Sequence, residues 1–177
     1  MSTLAKFGGP PVRREPFPAW PYFDSAEERE LLEVLRSGVW GGYNRKVEEF
    51  EDRFAHYLGS QHCVAFANGT VSLHTALHIE NIGPGHEVIV PPYTFVATAS
   101  AVLQVGAVPV FVDIEPSTMN LDPERFREAI NPRTRAVIPV HFAGHSADME
   151  RIRQIAQAHQ LIVVEDAAHA HGSEYMG

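Results

Sequence analysis

The feature that most constrains the fold is an alternation, from residue 62 onward, between short apolar runs and stretches with helical periodicity. The apolar runs are rich in β-branched residues and lie at 63–66, 87–90, 108–112, 136–140 and 161–164. Helical periods separate them at 71–79, 95–103, 123–130 and 148–158. Continuous apolar strands joined by amphipathic helices are typical of a parallel sheet covered on both faces. We therefore predict an α/β fold with about five parallel strands.

The first 60 residues have a different character. Five of the 13 prolines fall within residues 1–24, which indicates an extended arm. Asp24 or Ser25 is expected to cap a helix that runs to about residue 36, and a second helix is expected at 47–58. We predict two regions, an arm with helices over 1–60 and the sheet-forming domain over 61–177.

Charge and hydropathy exclude several classes of protein. The 14 basic and 22 acidic residues give a net charge of −8, and the basic residues form no stripe that could follow a nucleic-acid backbone. No apolar run approaches the roughly 18 residues that a membrane helix needs, and residues 1–11 do not resemble a signal peptide. These patterns predict a cytoplasmic protein that binds neither nucleic acid nor membrane.

Ligands of open parallel sheets bind at the carboxyl ends of the strands, so the residues after each predicted strand are the candidates for a site. The first predicted strand runs into Ala67-Asn68-Gly69-Thr70-Val71-Ser72, where a turn leads into a helix. The free N–H groups at a helix start, with the Thr70 and Ser72 hydroxyls, suit a phosphate. Small polar residues are also ordinary helix caps, and that interpretation stays open.

Two other strand ends have side chains suited to a flat, nitrogen-containing ligand. Phe95 follows the second predicted strand and could stack on a planar ring or pack in the core. Asp166 follows the fifth and could hold a protonated ring nitrogen or cap a helix. His169 lies three residues later, close enough to serve the same ligand.

Other common sites lack their motifs. The sequence contains neither G-x-G-x-x-G after the first predicted strand nor G-x-x-x-x-G-K-[ST] anywhere. The ten histidines form no complete ligand set at familiar metal spacing, so no metal is predicted.

These segments together resemble the DegT/DnrJ/StrS group of fold-type I, pyridoxal-phosphate-dependent sugar aminotransferases. The resemblance is highly specific and covers nearly the whole chain in the family's order. Its matching stretches include ANGTVSLHTAL (67–77), GPGHEVIVPPYTFVATASAV (83–102) and VVEDAAHAHG (163–172). It implies that residues 61–177 are part of the large α-β-α sandwich domain, without its C-terminal part and the small domain.

The resemblance also implies a role for each matching residue. Thr70 and the Val71 N–H would hold the phosphate of pyridoxal 5'-phosphate, and Phe95 would stack on its ring. Asp166 would pair with the ring nitrogen and keep it protonated, so that the ring can act as an electron sink. His169 would approach the ring hydroxyl.

The activity that the resemblance implies is transfer of an amino group, expected from glutamate, to a nucleotide-linked keto sugar or a cyclitol ketone. The family's Schiff-base lysine lies beyond Gly177, and neither Lys6 nor Lys46 matches it, so the chain is expected to be inactive alone. A homodimer is expected at full length. A dehydratase of the same family, or a binding or regulatory module that lost the chemistry, remain alternatives.

Overall fold

The structure is a computed structural model that describes residues 3–176. The chain divides into two compact units, one extending to Phe50 and the other beginning at Glu51. The division falls within a helix, Arg45–Leu58, whose second half belongs to the second unit.

The first unit contains an extended arm followed by helices. Its elements are single 3-10 turns at Ala5–Phe7 and Gly41–Tyr43, α1 over Ser25–Ser37, and the start of α2, Arg45–Leu58. Asp24 caps α1 as expected, because its Oδ1 accepts a hydrogen bond from the Ala26 N–H at 2.7 Å. The Asp24 N–H in turn donates to Glu27 Oε2 at 2.8 Å, which completes a capping box.

Ion pairs around Lys46 connect α1 with the start of α2. Lys46 Nζ lies 2.5 Å from Glu30 Oε2, 3.3 Å from Glu33 Oε2 and 3.5 Å from Glu49 Oε2. The hydrogen bond to Glu30, followed by the one to Glu33, raises the pKa of Lys46 above its ordinary value of 10.5. No residue described in the first unit is buried.

The second unit is the α/β domain that the alternating pattern predicts. In chain order its elements are α3 Gly69–Ile79, β1 Glu87–Val90, α4 Ala97–Gln104, β2 Val108–Phe111, α5 Pro123–Ala129, β3 Thr134–Val137, a 3-10 turn Phe142–Gly144, α6 Met149–Ala158 and β4 Ile162–Val163. The strands form one parallel sheet in the order β2-β1-β3-β4. Within residues 3–176, no helix is long and apolar enough to cross a membrane.

The predicted strand at 63–66 is wrong, and within residues 3–176 the sheet has four strands where five were expected. Val64 is 65% exposed, and the Ala65 N–H donates to the Glu51 side chain at 2.7 Å. An apolar run becomes a strand only when a neighbouring strand pairs with its backbone groups, and none among the described residues does so here.

Helices cover both faces of the sheet, as predicted. On one face, Val88 and Val90 pack in a core cluster with Leu77 of α3 and Val102 of α4. On the other face, Ile89 and Val137 belong to a second core cluster, with side chains of α5 and α6 that include Phe126 and Ile152. Alternate residues of β1 therefore face opposite cores, which explains why the whole strand is buried and why all of its residues except Glu87 are apolar.

A sharp turn at Gly106 sets the start of β2. Its φ is +78°, and a Cβ there would lie 3.1 Å from Cγ of Pro84. The Gly106 N–H donates to the Leu103 carbonyl at 2.9 Å and the Ala107 N–H to the Val102 carbonyl at 3.1 Å, closing the end of α4. Val108 then pairs with Glu87, so this turn places β2 in register with β1.

Candidate active site

A cavity of about 230 Å³ lies where α3 begins and where the chain leaves β1 and β4. Thr70, Phe95, Asp166 and His169 line it, although they come from three separate segments of the sequence. Val71, the fifth residue with a predicted role, lies outside the lining. The cavity lining contains no lysine.

At one side of the cavity, Asn68 caps α3. Its Oδ1 accepts a hydrogen bond from the Val71 N–H at 3.0 Å, and its carbonyl accepts one from the Ser72 N–H at 3.3 Å. The first N–H groups of an α-helix have no acceptor within the helix, which leaves those of Gly69 and Thr70 for a ligand. The capping interpretation is therefore confirmed for Asn68, while the Val71 N–H already has a partner.

Asp166 lies at the other side of the cavity, on an extension of the sheet. Its N–H donates to the Pro139 carbonyl at 2.9 Å, and its own carbonyl accepts from the His141 N–H at 3.1 Å. These bonds continue the parallel pairing of β3 with β4 by a bridge between Val140 and Asp166. The sheet thus fixes the backbone of Asp166. The orientation of its side chain depends on the hydrogen bonds that the carboxylate accepts.

The carboxylate of Asp166 has neutral partners. Oδ2 accepts from the Thr98 hydroxyl at 2.7 Å, and Oδ1 accepts from the Ala168 N–H at 3.3 Å. Asp166 is only 8% exposed, and no cationic side chain among residues 3–176 pairs with it. A buried carboxylate is costly without a charged partner, and its oxygens can accept further hydrogen bonds. The arrangement suits a ligand that presents a protonated nitrogen.

His169 is held by the loop after β3. Its Nδ1 accepts a hydrogen bond from the Ala143 N–H at 3.3 Å, and its ring meets the Phe142 ring edge-on at 5.6 Å. Because a backbone N–H can only donate, Nδ1 carries no proton, and the neutral ring has its proton on Nε2. His169 therefore offers a hydrogen-bond donor at Nε2.

Phe95 is 70% exposed, so the alternative of a core contact is wrong. It lies just before α4 and its carbonyl accepts from the Thr98 N–H at 3.3 Å, which holds its backbone. An aromatic ring that lines a cavity and is not packed in the core is free to contact a planar ligand.

Sequence reasoning missed a group of polar residues beneath the site. Thr98 and Thr94 join hydroxyl to hydroxyl at 2.9 Å, and Thr98 reaches Asp166. The only sign of this pair in the sequence is its spacing of four residues, which is typical of neighbours on a helix. Nothing in the sequence linked that pair to residue 166.

His141 and Glu165 form a second unforeseen pair, directly beside Asp166. His141 Nδ1 accepts from the Ala147 N–H at 3.1 Å, so its Nε2 donates to Glu165 Oε2 at 3.0 Å. This bond, with a further one from Arg153, lowers the pKa of Glu165 below its ordinary value of 4.5. The pair ties the loop after β3 to the end of β4.

Comparison with known proteins places these features in a family. The model of the DegT/DnrJ/EryC1/StrS aminotransferase family matches residues 21–177. The L-glutamine:2-deoxy-scyllo-inosose aminotransferase of Streptomyces kanamyceticus is 44% identical over 99% of this chain and 43% of its own length. The GDP-perosamine synthase of Caulobacter vibrioides is 45% identical over 90% of this chain and 43% of its own length.

A solved structure that contains a bound cofactor has a similar fold. NtdA from Bacillus subtilis, determined with bound cofactor PMP, superposes with a TM-score of 0.74 at 42% identity, over 79% of this chain and 32% of that one. The chain spans about 43% of the length of the curated relatives it matches.

The lining residues fit pyridoxal phosphate or its amine form. A helix start with free N–H groups suits a phosphate, and an exposed aromatic ring suits a planar ring. The buried Asp166 carboxylate, with only neutral partners, suits a protonated ring nitrogen. These three features occur in one cavity, so the residues present are compatible with the group that the neighbour contains.

Proposed function

The chain belongs to the DegT/DnrJ/EryC1/StrS aminotransferase family, and from this premise we propose that it is the cofactor-binding portion of a pyridoxal-phosphate-dependent aminotransferase. The whole enzyme would transfer an amino group to a keto sugar or a cyclitol ketone. The observation that carries the proposal is the buried Asp166 carboxylate, which faces a cavity without a cationic partner among the described residues.

Each lining residue would have a distinct task. Thr70 and the first N–H groups of α3 would bind the phosphate, and Val71 would join them only if Asn68 released its N–H. Asp166 would hold a proton on the ring nitrogen, and His169 would donate from Nε2 to the ring oxygen. Phe95 would stack on one face of the ring. When bound, pyridoxal phosphate carries the amino group between donor and acceptor.

The substrates follow from the two named relatives. One is named for 2-deoxy-scyllo-inosose, a cyclitol ketone, and the other is named for a GDP-linked sugar. We propose a ketone of one of these two classes as acceptor and glutamate or L-glutamine as amino donor. Assaying the protein at its natural length with each acceptor and each donor, and measuring the aminated product, would separate the four combinations.

The whole enzyme is further proposed to be a cytoplasmic homodimer. Sedimentation of the protein isolated from its host would give its mass in solution, and cell fractionation would give its location. A monomer at micromolar concentration would contradict the first part, and recovery with membranes would contradict the second.

Cofactor binding can be tested on the chain itself. Pyridoxamine 5'-phosphate requires no lysine for attachment, so titration calorimetry with this compound measures the non-covalent site directly. We expect one equivalent to bind. Asp166→Asn should weaken binding roughly tenfold or more, because a hydrogen bond to a charged group contributes about 1.5–3 kcal/mol. Asp52→Asn, at an exposed position of α2, is the matched control and should bind like the wild type.

The outcomes separate the proposed function from its alternatives. Absence of saturable binding would contradict a cofactor site and favour a module that has lost the chemistry. Equal affinity of wild type and Asp166→Asn would contradict the role of Asp166. A whole enzyme that binds the cofactor but eliminates water from a sugar, without aminating it, would be the dehydratase.

A further inference from the structure

We propose that Thr98 is a positioning residue for the cofactor site: its hydroxyl holds the Asp166 carboxylate in the rotation that meets the ring nitrogen. The inference rests on the proposed function and deepens it. Thr98 is fully buried on α4, and its Oγ1 lies 2.7 Å from Asp166 Oδ2, although the two residues are 68 positions apart in the chain.

The direction of the hydrogen bonds follows from the chemistry of the groups. An ionised carboxylate has no proton to give, so the Thr98 hydroxyl must donate to Asp166. Having given its only proton, Thr98 Oγ1 can only accept from Thr94 Oγ1, at 2.9 Å. The result is a one-way chain of hydrogen bonds from Thr94 through Thr98 to Asp166.

This chain controls the orientation of the Asp166 side chain. The sheet fixes the backbone of Asp166 through Pro139 and His141, but it does not fix the two side-chain torsions. Only two hydrogen bonds among the described residues act on the carboxylate, and the one from the Ala168 N–H is long, at 3.3 Å. Removal of the Thr98 hydroxyl would leave the carboxylate with that single contact and free to rotate.

Thr94 extends the effect to the surface of the cavity. It lines the cavity and is half-buried, and its hydroxyl proton is directed to Thr98. Toward a ligand, its oxygen is therefore an acceptor only. The same chain that orients Asp166 thus makes this part of the wall favour a ligand N–H or O–H over a carbonyl.

The experiment compares two substitutions at Thr98 and two ligands. Thr98→Val removes the hydroxyl and keeps the shape, whereas Thr98→Ser keeps the hydroxyl. Pyridoxamine 5'-phosphate contains the ring nitrogen, and benzyl phosphate has a phosphate and an aromatic ring without it. Thr134→Val is the control for loss of a buried hydroxyl elsewhere, because Thr134 is 2% exposed and bonds the Asn131 N–H at the start of β3.

We expect Thr98→Val to weaken pyridoxamine 5'-phosphate binding about tenfold, which is the lower end of the effect that outer-shell partners have at metal sites. Its affinity for benzyl phosphate should stay within about twofold of the wild type, since no ring nitrogen is involved. Thr98→Ser should restore tight binding, and Thr134→Val should bind both ligands like the wild type.

Other outcomes would overturn one idea or the other. If the wild type binds pyridoxamine 5'-phosphate and Thr98→Val binds it equally well, the positioning role is wrong and the proposed function stands. If Thr98→Val weakens both ligands alike, Thr98 only maintains the structure and the positioning role is again wrong. If the wild type binds no pyridoxamine 5'-phosphate, the proposed function fails, and the inference fails with it.

Discussion

The two units of the chain place their large apolar side chains in opposite environments. In the first unit, Trp20 is 92% and Phe23 71% exposed. In the second, Phe126 and Ile152 are completely buried in the core beneath the sheet. Apolar content alone therefore does not make a core. The second unit has one because paired strands create a continuous surface on which helices can pack.

The difference extends to the charged residues. In the first unit the ion pairs of Lys46 involve exposed glutamates, and such pairs contribute little to stability. In the second, Glu87 is 6% exposed and accepts hydrogen bonds from Asn131 and Arg133 at 2.6 and 2.7 Å. We expect substitutions in the second unit to have the larger effects throughout.

The largest effect should come from a buried phenylalanine. Phe126→Ala removes a fully buried ring and should lower the free energy of unfolding by about 3–5 kcal/mol. Phe23→Ala removes the same side chain at an exposed position and should change it by less than about 0.5 kcal/mol. Urea unfolding, monitored by circular dichroism, measures both free energies of unfolding. Equal losses in the two variants would contradict the difference between the two units.

A smaller effect should appear at acid pH. The amide of Asn131, and then Arg133, lowers the pKa of Glu87 below its ordinary value of 4.5. A lowered pKa stabilises the fold above pH 4.5, and this contribution is lost as the pH falls through the pKa of the folded state. Glu87→Gln should therefore be less stable than the wild type at neutral pH and lose less stability on acidification.

The matched substitution in the first unit is Glu48→Gln, at an exposed position of α2. This substitution should not change how much the free energy of unfolding decreases on acidification. The unfolding free energy of each of the three proteins is measured between pH 3 and 7. The precision must be sufficient to detect a pKa shift of about one unit. A Glu87→Gln profile parallel to that of the wild type would contradict the role of the buried carboxylate.

The smallest effect should come from Lys46 in the first unit. The raised pKa of Lys46 stabilises the fold below its ordinary value of 10.5, and this contribution is lost as the pH rises through the pKa of the folded state. Lys46→Met should slightly increase amide hydrogen exchange in α1 at neutral pH. The other lysine provides the control: Lys6→Met should leave α1 as it is, and faster exchange in that variant would contradict the assignment.

Much of the fold was predictable because it depends on local pattern and burial. The run at 87–90 became β1, and Pro123 began α5 as predicted, because Asp122 caps the helix and proline needs no donor in its first turn. The run at 63–66 is also mostly apolar and is not a strand. A strand depends on its partners, and the sequence of one segment does not reveal them.

The site was predictable to the extent that the topology determines it. Residues after parallel strands converge at one edge of a sheet, so Phe95, Asp166 and His169 could be expected to share a cavity, as they do. Thr70 lines the same cavity, although the segment before it is not a strand. Their roles toward the cofactor stay predictions. Thr98 could not be found in this way, since its contact with Asp166 depends on how α4 packs on the sheet.

The turn at Gly106 restricts which amino acids can replace this glycine. Any missense change at this codon adds a side chain at a φ of +78°, and its Cβ would lie 3.1 Å from the rigid ring of Pro84. Gly85 also has a positive φ, of +86°, but no atom lies within 4 Å of a Cβ there. Asparagine or aspartate can occupy that kind of position. A saturation library under selection should retain these residues at 85 and only glycine at 106.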